Sequence, residues 1–309
     1  MQRPSVQNSV MRIFHVDAFT ETRFSGNPAT VILDADGQSD ATMMSVAREF
    51  AHAEVAYVTA ASGADHDIKV RFFNSRKEAP FVGHATIAAH AVLLALGRRT
   101  LGVSRQLSGI GVVPVTAQLP AKPPNARALI EFRQTTPELD PPLPFKATLR
   151  VAEALRLEAT HLHEVMPARV ARKGSTRLLV PVAERRHLEG LDPNDETLLE
   201  LGKELGVDGY FVFAMNRIGD VVSTDSRMFC PALGIPEDPV SGNAHAMLAA
   251  YLWDLGQLGK KTLKFVGRQG RQMNRPGEVR VRLEVEKGQL LAAHIGGTAV
   301  IVSEGTLAI

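Results

Sequence analysis

The chain has 309 residues, 45% of them hydrophobic and 22% charged, and its 35 basic and 33 acidic residues leave a formal net charge of +2. That balance excludes a protein built around nucleic acid or an anionic membrane surface, and the length allows about two domains with sizeable cores. The single cysteine, Cys230, excludes an intramolecular disulfide and a cysteine-built zinc site, and fits a reducing compartment.

Residues 1–10 read as a frayed extension without a signal-like apolar core, and no run approaches the roughly 18 apolar residues of a membrane span, so a cytoplasmic protein is expected. The first strands follow in "MRIFHVDAFT" and "PATVILDAD", joined by the turn-rich "ETRFSGN". "SDATMMSVAREFA" predicts a helix with Ser39 or Asp40 as its N-cap. "EVAYVTA" and "DIKVRFFNS" predict two more strands, and "FVGHATIAAHAVLLALG" a helix from Gly83 to a stop at Gly97.

Proline crowds "PAKPPNA" and "PELDPPLPF", a linker composition that puts a domain crossover near residues 132–145. Beyond it "ATLRVAEALRLE" predicts a helix, "TRLLVPVA" a strand and "DPNDETLLELGKELG" a capped helix. "GYFVFAMN" and "DVVSTDSRMF" predict strands, and the C-terminal alternation from "EVRVRLEVE" onward predicts a β-meander. The resulting expectation is a domain over 11–133 and a second domain over 134–297.

Two segments repeat each other at an offset of 159 residues. Gly83, Ala85, Ala91, Leu93, Leu96 and Gly97 fall on Gly242, Ala244, Ala250, Leu252, Leu255 and Gly256, and "RFF" at Arg71 precedes the first as "RMF" at Arg227 precedes the second. Neither Ala85–Leu96 nor Ala244–Trp253 contains a charged residue, so each helix should be enclosed. The expected fold is α+β, with two pseudo-symmetric domains, each a curled, barrel-like sheet around a central helix.

A helix start offers unpaired backbone N–H groups and partial positive charge, and glycine there admits close approach of a ligand. Gly83 and Gly242 therefore predict two anion-holding corners, suited to a carboxylate or a developing enolate. Glu237 and Asp238 lie just before the second corner, where capping the helix and sharing its ligand are both open readings. His84 is a candidate proton carrier. His52, His90, His161, His163 and His187 show no metal-ligand spacing, and no phosphate loop or dinucleotide fingerprint is present, so no metal is expected. Cys230 reads as a packed thiol.

The segments "VDAFTETRFSGNPATV", "AREFAHAEVAYV", "RFFNSRKEAPFVGHAT", "EDPVSGNAHA" and "GGTAVIV" resemble, in order and spacing, the PhzF-like proteins, named for an isomerase of phenazine biosynthesis. The resemblance implies a diaminopimelate epimerase-like fold in which the final strand 298–309 returns to the first domain, a homodimer, no cofactor and a small anionic substrate. It implies Glu54 as the base that takes a proton from a ring carbon and returns it, with His84 and Asp238 assisting. It also implies Gly83 and Gly242 as substrate-holding backbone donors, beside Ser241 and Asn243. Here Ala53 and Val55 flank the base where the family isomerase has hydroxyl residues, and Asn243 stands for its serine. Racemases of the wider fold family use two thiols, at positions that here hold Val82 and Ser241, which excludes that chemistry. An isomerase is expected, with a one-carboxylate epimerase or lyase and a non-catalytic binder as rivals.

Overall fold

A computed structural model describes residues 10–50, 54–120, 127–259 and 263–309. In chain order its elements are β1 (Val10–Ala18), β2 (Asn27–Leu33), α1 (Asp40–Glu49), β3 (Val55–Ala60), β4 (Ile68–Phe73), β5 (Glu78–Ala79), α2 (Gly83–Ala95), β6 (Gly102–Ser108), β7 (Gly111–Gln118), β8 (Leu129–Thr135), β9 (Glu138–Pro142), α3 (Phe145–Ala154), β10 (Arg169–Lys173) and β11 (Ser175–Val182). They continue with α4 (Arg186–Glu189), α5 (Asp195–Leu205), β12 (Gly209–Ile218), β13 (Val221–Cys230), β14 (Ile235–Asp238), α6 (Gly242–Asp254), β15 (Lys264–Gln269), β16 (Gly277–Glu286), β17 (Gln289–Gly297) and β18 (Ala299–Ala308). The chain divides into two compact units. One comprises the N-terminal residues through Phe24, Pro28–Phe132 and Thr298–Ile309; the other comprises Ser25–Asn27 and Arg133–Gly297.

In the first unit β18 returns to pair antiparallel with β1, Val10 opposite Ala308 and Ala18 opposite Ala299. β2 and β3 are parallel, β3 and β4 antiparallel, β4 and β6 parallel, and β6, β7 and β8 antiparallel in succession. Helix α2 packs against β1, β3 and β18. Ala85–His90, Val92 and Leu93 are all buried on it, as expected of a helix without a charged face. Its two buried polar side chains are satisfied by one glutamine: Gln106 Nε2 donates to Thr86 Oγ1 at 3.3 Å, and Gln106 Oε1 lies 3.0 Å from His90 Nε2. Helix α1 starts at the N-cap Ser39, whose hydroxyl accepts from Thr42 N at 3.1 Å. Its Met43 and Ala47 join Met11, Ile13, Ile32, Tyr57 and Phe73 in a core on the sheet.

The second unit repeats this plan. β11 and β12 are parallel, β12 and β13 antiparallel, β13 and β15 parallel, and β15, β16 and β17 antiparallel in succession. Helix α6 packs against β10, β11, β16 and β17, with Ala244–Leu252 buried throughout. Helix α5 mirrors α1: Asn194 caps its start, Gly206 closes it at φ 64°, and Tyr210 donates to Leu198 O at 2.6 Å as Tyr57 does to Met43 O at 2.6 Å. Both enclosed helices end the same way, at Gly97 and Gly256 with φ 66°.

Three expectations are corrected. The proline-rich stretch is not only linker, since it contains β8 and β9. Strand β9 takes its prolines at its last two positions and pairs with β10 through a shifted register. The C-terminal alternation does not form one meander: β16 and β17 make a hairpin, whereas β18 pairs with β1. Val10, placed in the frayed extension by sequence, already opens β1; residues 1–9 lie outside the described residues. Among the described residues no helix is long and apolar enough to cross a membrane.

Candidate active site

Each enclosed helix is preceded by the same ion-paired turn. In the first unit Arg71 on β4 holds Glu78 on β5 through two bonds, Nε–Oε1 at 2.8 Å and Nη2–Oε2 at 2.7 Å, and lies 4.8 Å over the Phe73 ring. In the second Arg227 on β13 holds Glu237 on β14 at 2.9 and 2.8 Å and lies 4.9 Å over Phe229. The Arg-x-Phe signature read in the sequence is thus the clamp that aims each chain into its helix.

At the first helix start Val82 is the N-cap and supplies no side-chain cap bond. Gly83 is required by packing: a Cβ there would sit 2.8 Å from Phe132 Cζ. His84, the second helical residue, has a side chain 12% exposed. Its Nε2 is buried without a hydrogen-bond partner and lies 3.7 Å from Glu54 Oε2. Burial lowers the His84 pKa to about 4, so at neutral pH the ring is uncharged. The contact is then a carboxyl group beside a neutral imidazole, too long for a direct hydrogen bond. Glu54 stands immediately before β3, with its side chain 21% exposed. His52 and Ala53 lie outside the described residues.

At the second helix start Ser241 is the N-cap, its hydroxyl accepting from Ala244 N at 3.3 Å. Asn243 donates from Nδ2 to Ser175 Oγ at 2.8 Å and accepts from Gln134 Nε2 on its Oδ1. Asp238 is raised to about 6, chiefly by burial; Arg177, the Val240 backbone and Asn27 pull the other way, and Glu237 adds to the rise. Its Oδ1 accepts from Asn27 Nδ2 at 2.8 Å. Asn27 and Gln269 escaped the sequence reading; the Ser-Gly-Asn-Pro turn signal at Asn27 was legible, its reach across 211 positions was not.

The repeat resolves which acids are shared between the halves. Phe72 faces Ala79 where Met228 faces Asp238, so Ala79 occupies the place of Asp238. Val55 faces Phe73 where Tyr210 faces Phe229, so Gly209 occupies the place of Glu54. A Cβ at Gly209 would meet Cys230 Sγ and Phe229 O at 2.8 Å, leaving no room for a second base there. His84 corresponds to Asn243 at the repeat offset. Cys230 is 2% exposed and its pKa is pushed up to about 12 by burial.

Outside these corners, Ser62, His66 and Asp65 line up in one loop, with Ser62 Oγ 3.2 Å from His66 Nε2 and His66 Nδ1 2.6 Å from Asp65 Oδ1. The Ser62 backbone N–H already occupies Nε2 at 2.9 Å, so the ring staples the loop and activates no hydroxyl. The imidazoles of His161 and His187 stack at 4.4 Å, and His90 is buried against Gln106 and Arg99.

Paired parallel and antiparallel strands around two enclosed helices, with Glu54 beside His84 at one helix start and the buried Asp238 at the other, define a protein of the diaminopimelate epimerase-like fold class. The family model for phenazine biosynthesis-like proteins (PhzC-PhzF) matches residues 16–305, and the chain belongs to that family. It is 35% identical over 303 residues to the uncharacterized isomerase YddE of Escherichia coli strain K12, covering 96% of this chain and 98% of that one. An uncharacterized isomerase of Clostridium acetobutylicum is 32% identical, covering 96% of this chain and 97% of the relative. Among solved structures, a PhzF-family phenazine biosynthesis protein of Bacillus anthracis is 27% identical with a TM-score of 0.84, covering 97% and 100% of the two chains. The fold extends to a hydroxyproline epimerase of Agrobacterium vitis at 15% identity and a TM-score of 0.61, covering 97% and 93%.

Proposed function

We propose that this isomerase moves a proton within a small cyclic carboxylic acid by acid–base catalysis, with Glu54 as the group that takes the proton and returns it. As the substrate C–H bond breaks, the proton passes to the Glu54 carboxylate and the electron pair delocalises as an enolate-like anion. Backbone donors at the helix start of Gly83, and at that of Gly242 with Ser241 and Asn243 beside it, are each suited to an anionic group. The same carboxyl then delivers its proton to a second carbon of the same molecule. Neutral His84 assists at Glu54, and Asp238, its carboxyl raised to about 6 by burial, assists as the acid at the second helix start.

The observation that carries this reading is the Glu54–His84 pair at 3.7 Å, with His84 Nε2 buried and unsatisfied in the first turn of a helix that has no side-chain cap. The side-chain-free Gly209 in the place of Glu54 favours one base over two. A homodimer in the cytoplasm, implied by the resemblance and by composition, belongs to the same proposal.

The test is Glu54→Gln against the parent protein with trans-2,3-dihydro-3-hydroxyanthranilate and related cyclic acids, in H2O and D2O. Turnover should fall by about a hundred- to ten-thousand-fold, the range of a lost acid–base group. Product formed in D2O by the parent should retain substrate hydrogen at the new position. Undiminished turnover by the variant overturns the assignment of Glu54, and full deuteration of the product overturns intramolecular return.

A further inference from the structure

Asn27 is 5% exposed and its side-chain amide spends both hydrogens on one short segment, Nδ2 donating to Asp238 Oδ1 and to Val240 O, each at 2.8 Å. The Val240 carbonyl can only accept, so it fixes which end of the amide is nitrogen, and a donor therefore faces Asp238. On the other side Gln269, 3% exposed at the end of β15, accepts from Ser241 N on Oε1 at 3.1 Å and donates from Nε2 to Asp238 O at 2.6 Å. Its orientation is fixed in the same way, because a backbone N–H can only donate. Two amides from remote parts of the chain thus clamp the four residues that lead into α6.

The strap Ser25–Asn27 that brings the first amide is itself tied down. Gly26 N donates to Pro276 O at 3.0 Å, and Arg275 donates from Nε to Gly26 O and from Nη2 to Ser25 O, each at 3.0 Å. Each of the strap's residues is bound to a part of the chain more than 200 positions away.

We infer that Asn27 is a positioning residue for Asp238, setting the orientation of its carboxyl and directing any proton it carries to Oδ2, with Gln269 holding the backbone beneath. A hydrogen bond into Oδ1 stabilises the charged form and occupies the oxygen that a proton would otherwise share. The charged groups that also bear on Asp238 are Arg177 on β11 and Glu237 on β14, and neither contacts Asn27 through a hydrogen bond among the described residues. Beside the Val240 backbone, Asn27 is therefore the neutral group through which the carboxyl is tuned. This inference rests on Asp238 acting in the proposed reaction, and its experiment reads Asp238 directly so that the two are judged apart.

Protein labelled with 13C at aspartate carboxyl carbons, with Asp238 assigned through Asp238→Asn, is titrated by NMR as the parent and as Asn27→Ala. The Asp238 midpoint should rise by about one pH unit in the variant, and the acidic limb of its pH–rate profile should move with it. A purely structural role for Asn27 would lower the melting temperature and leave both midpoints where they were, which overturns the inference. Should Asn27→Ala not fold, the parent suffices: the Asn27 side-chain 15N–1H resonances should titrate with the Asp238 midpoint and stop doing so in Asp238→Asn. Resonances flat across that range overturn the inference. A shifted Asp238 midpoint with an unchanged rate profile upholds the contact and removes Asp238 from the reaction.

Discussion

Arg227 holds Glu237 in a two-point grip, 2.9 and 2.8 Å long, with side chains only 9% and 15% exposed, and its third nitrogen reaches Leu188 O and Leu191 O. Successive residues of a strand point to opposite faces, so on β14 Glu237 turns to Arg227 while Asp238 turns to Asn27. Two neighbouring carboxylates that look like one acidic spot in the sequence are separate devices.

Removing one partner of a buried ion pair strands the other. Glu237→Gln should cost about 3 kcal/mol in urea denaturation, because Arg227 keeps its charge and loses its counter-ion. The matching pair in the first unit is more open, Arg71 and Glu78 being 21% and 39% exposed. There Glu78→Gln should cost under about 1 kcal/mol. Equal losses at the two positions would contradict the difference in burial.

Asp238 has its pKa raised from the usual 3.8 to about 6 in the folded protein. The protonated form is the one the fold prefers, so the associated stability is complete below about pH 3.8 and is lost as pH rises through about 6. Asp238→Asn removes the buried charge and should be more stable than the parent at pH 8 by on the order of 2 kcal/mol, with no such gain at pH 3.5. Buried His84, His90 and His245, lowered to about 4, 3 and 4, work in the opposite sense. Their stability is present above about pH 6.5 and lost as pH falls through those values, equally in both proteins. Denaturation curves at the two pH values decide the matter; an advantage of the variant independent of pH would be inconsistent with a titrating Asp238.

His245 on α6 is fully buried, its Nδ1 2.7 Å from Ser241 O, and the Cδ2–Nε2 edge of its ring is set against Gly267. A Cβ at Gly267 would come within 2.0 Å of His245 Cδ2 and 2.1 Å of Nε2. Gly267→Ala should therefore cost about 3 kcal/mol through overpacking, and almost nothing further in a His245→Ala background. Thermal melts of the four proteins in that cycle give the coupling directly, and strictly additive losses would refute the contact.

Cys230, 2% exposed and raised to about 12, carries essentially no thiolate at pH 8. The native protein should resist a chromogenic disulfide reagent and react with one equivalent only on unfolding. Rapid modification without unfolding would show the thiol to be accessible.

What the sequence disclosed were features carried by local pattern. The glycine start and stop of α2 and α6, their charge-free faces and the Arg-x-Phe lead each appear at a fixed spacing, and the cap Ser39 is a local signal. Glu54 had no such pattern; only likeness to a known family singled it out, because one acid before a strand is ordinary. Contacts between remote segments left no local signal: the Asn27 amide on Asp238 and the Gln269 bridge were beyond reach, and the return of the final strand to the first unit was indicated only by likeness to a known family. Strand β9 was hidden because prolines at a strand's end resemble those of a linker.

The strap Ser25–Asn27 lies, by sequence, inside the first unit and, by contacts, inside the second. A polypeptide begun at residue 133 would contain α6, Asp238 and Gln269 complete, and still lack one of the two amides that grip the acid. No single cut in the gene separates the halves without taking that hand away, so any circular permutation or fusion that preserves the second half must carry three residues from near the chain's beginning with it.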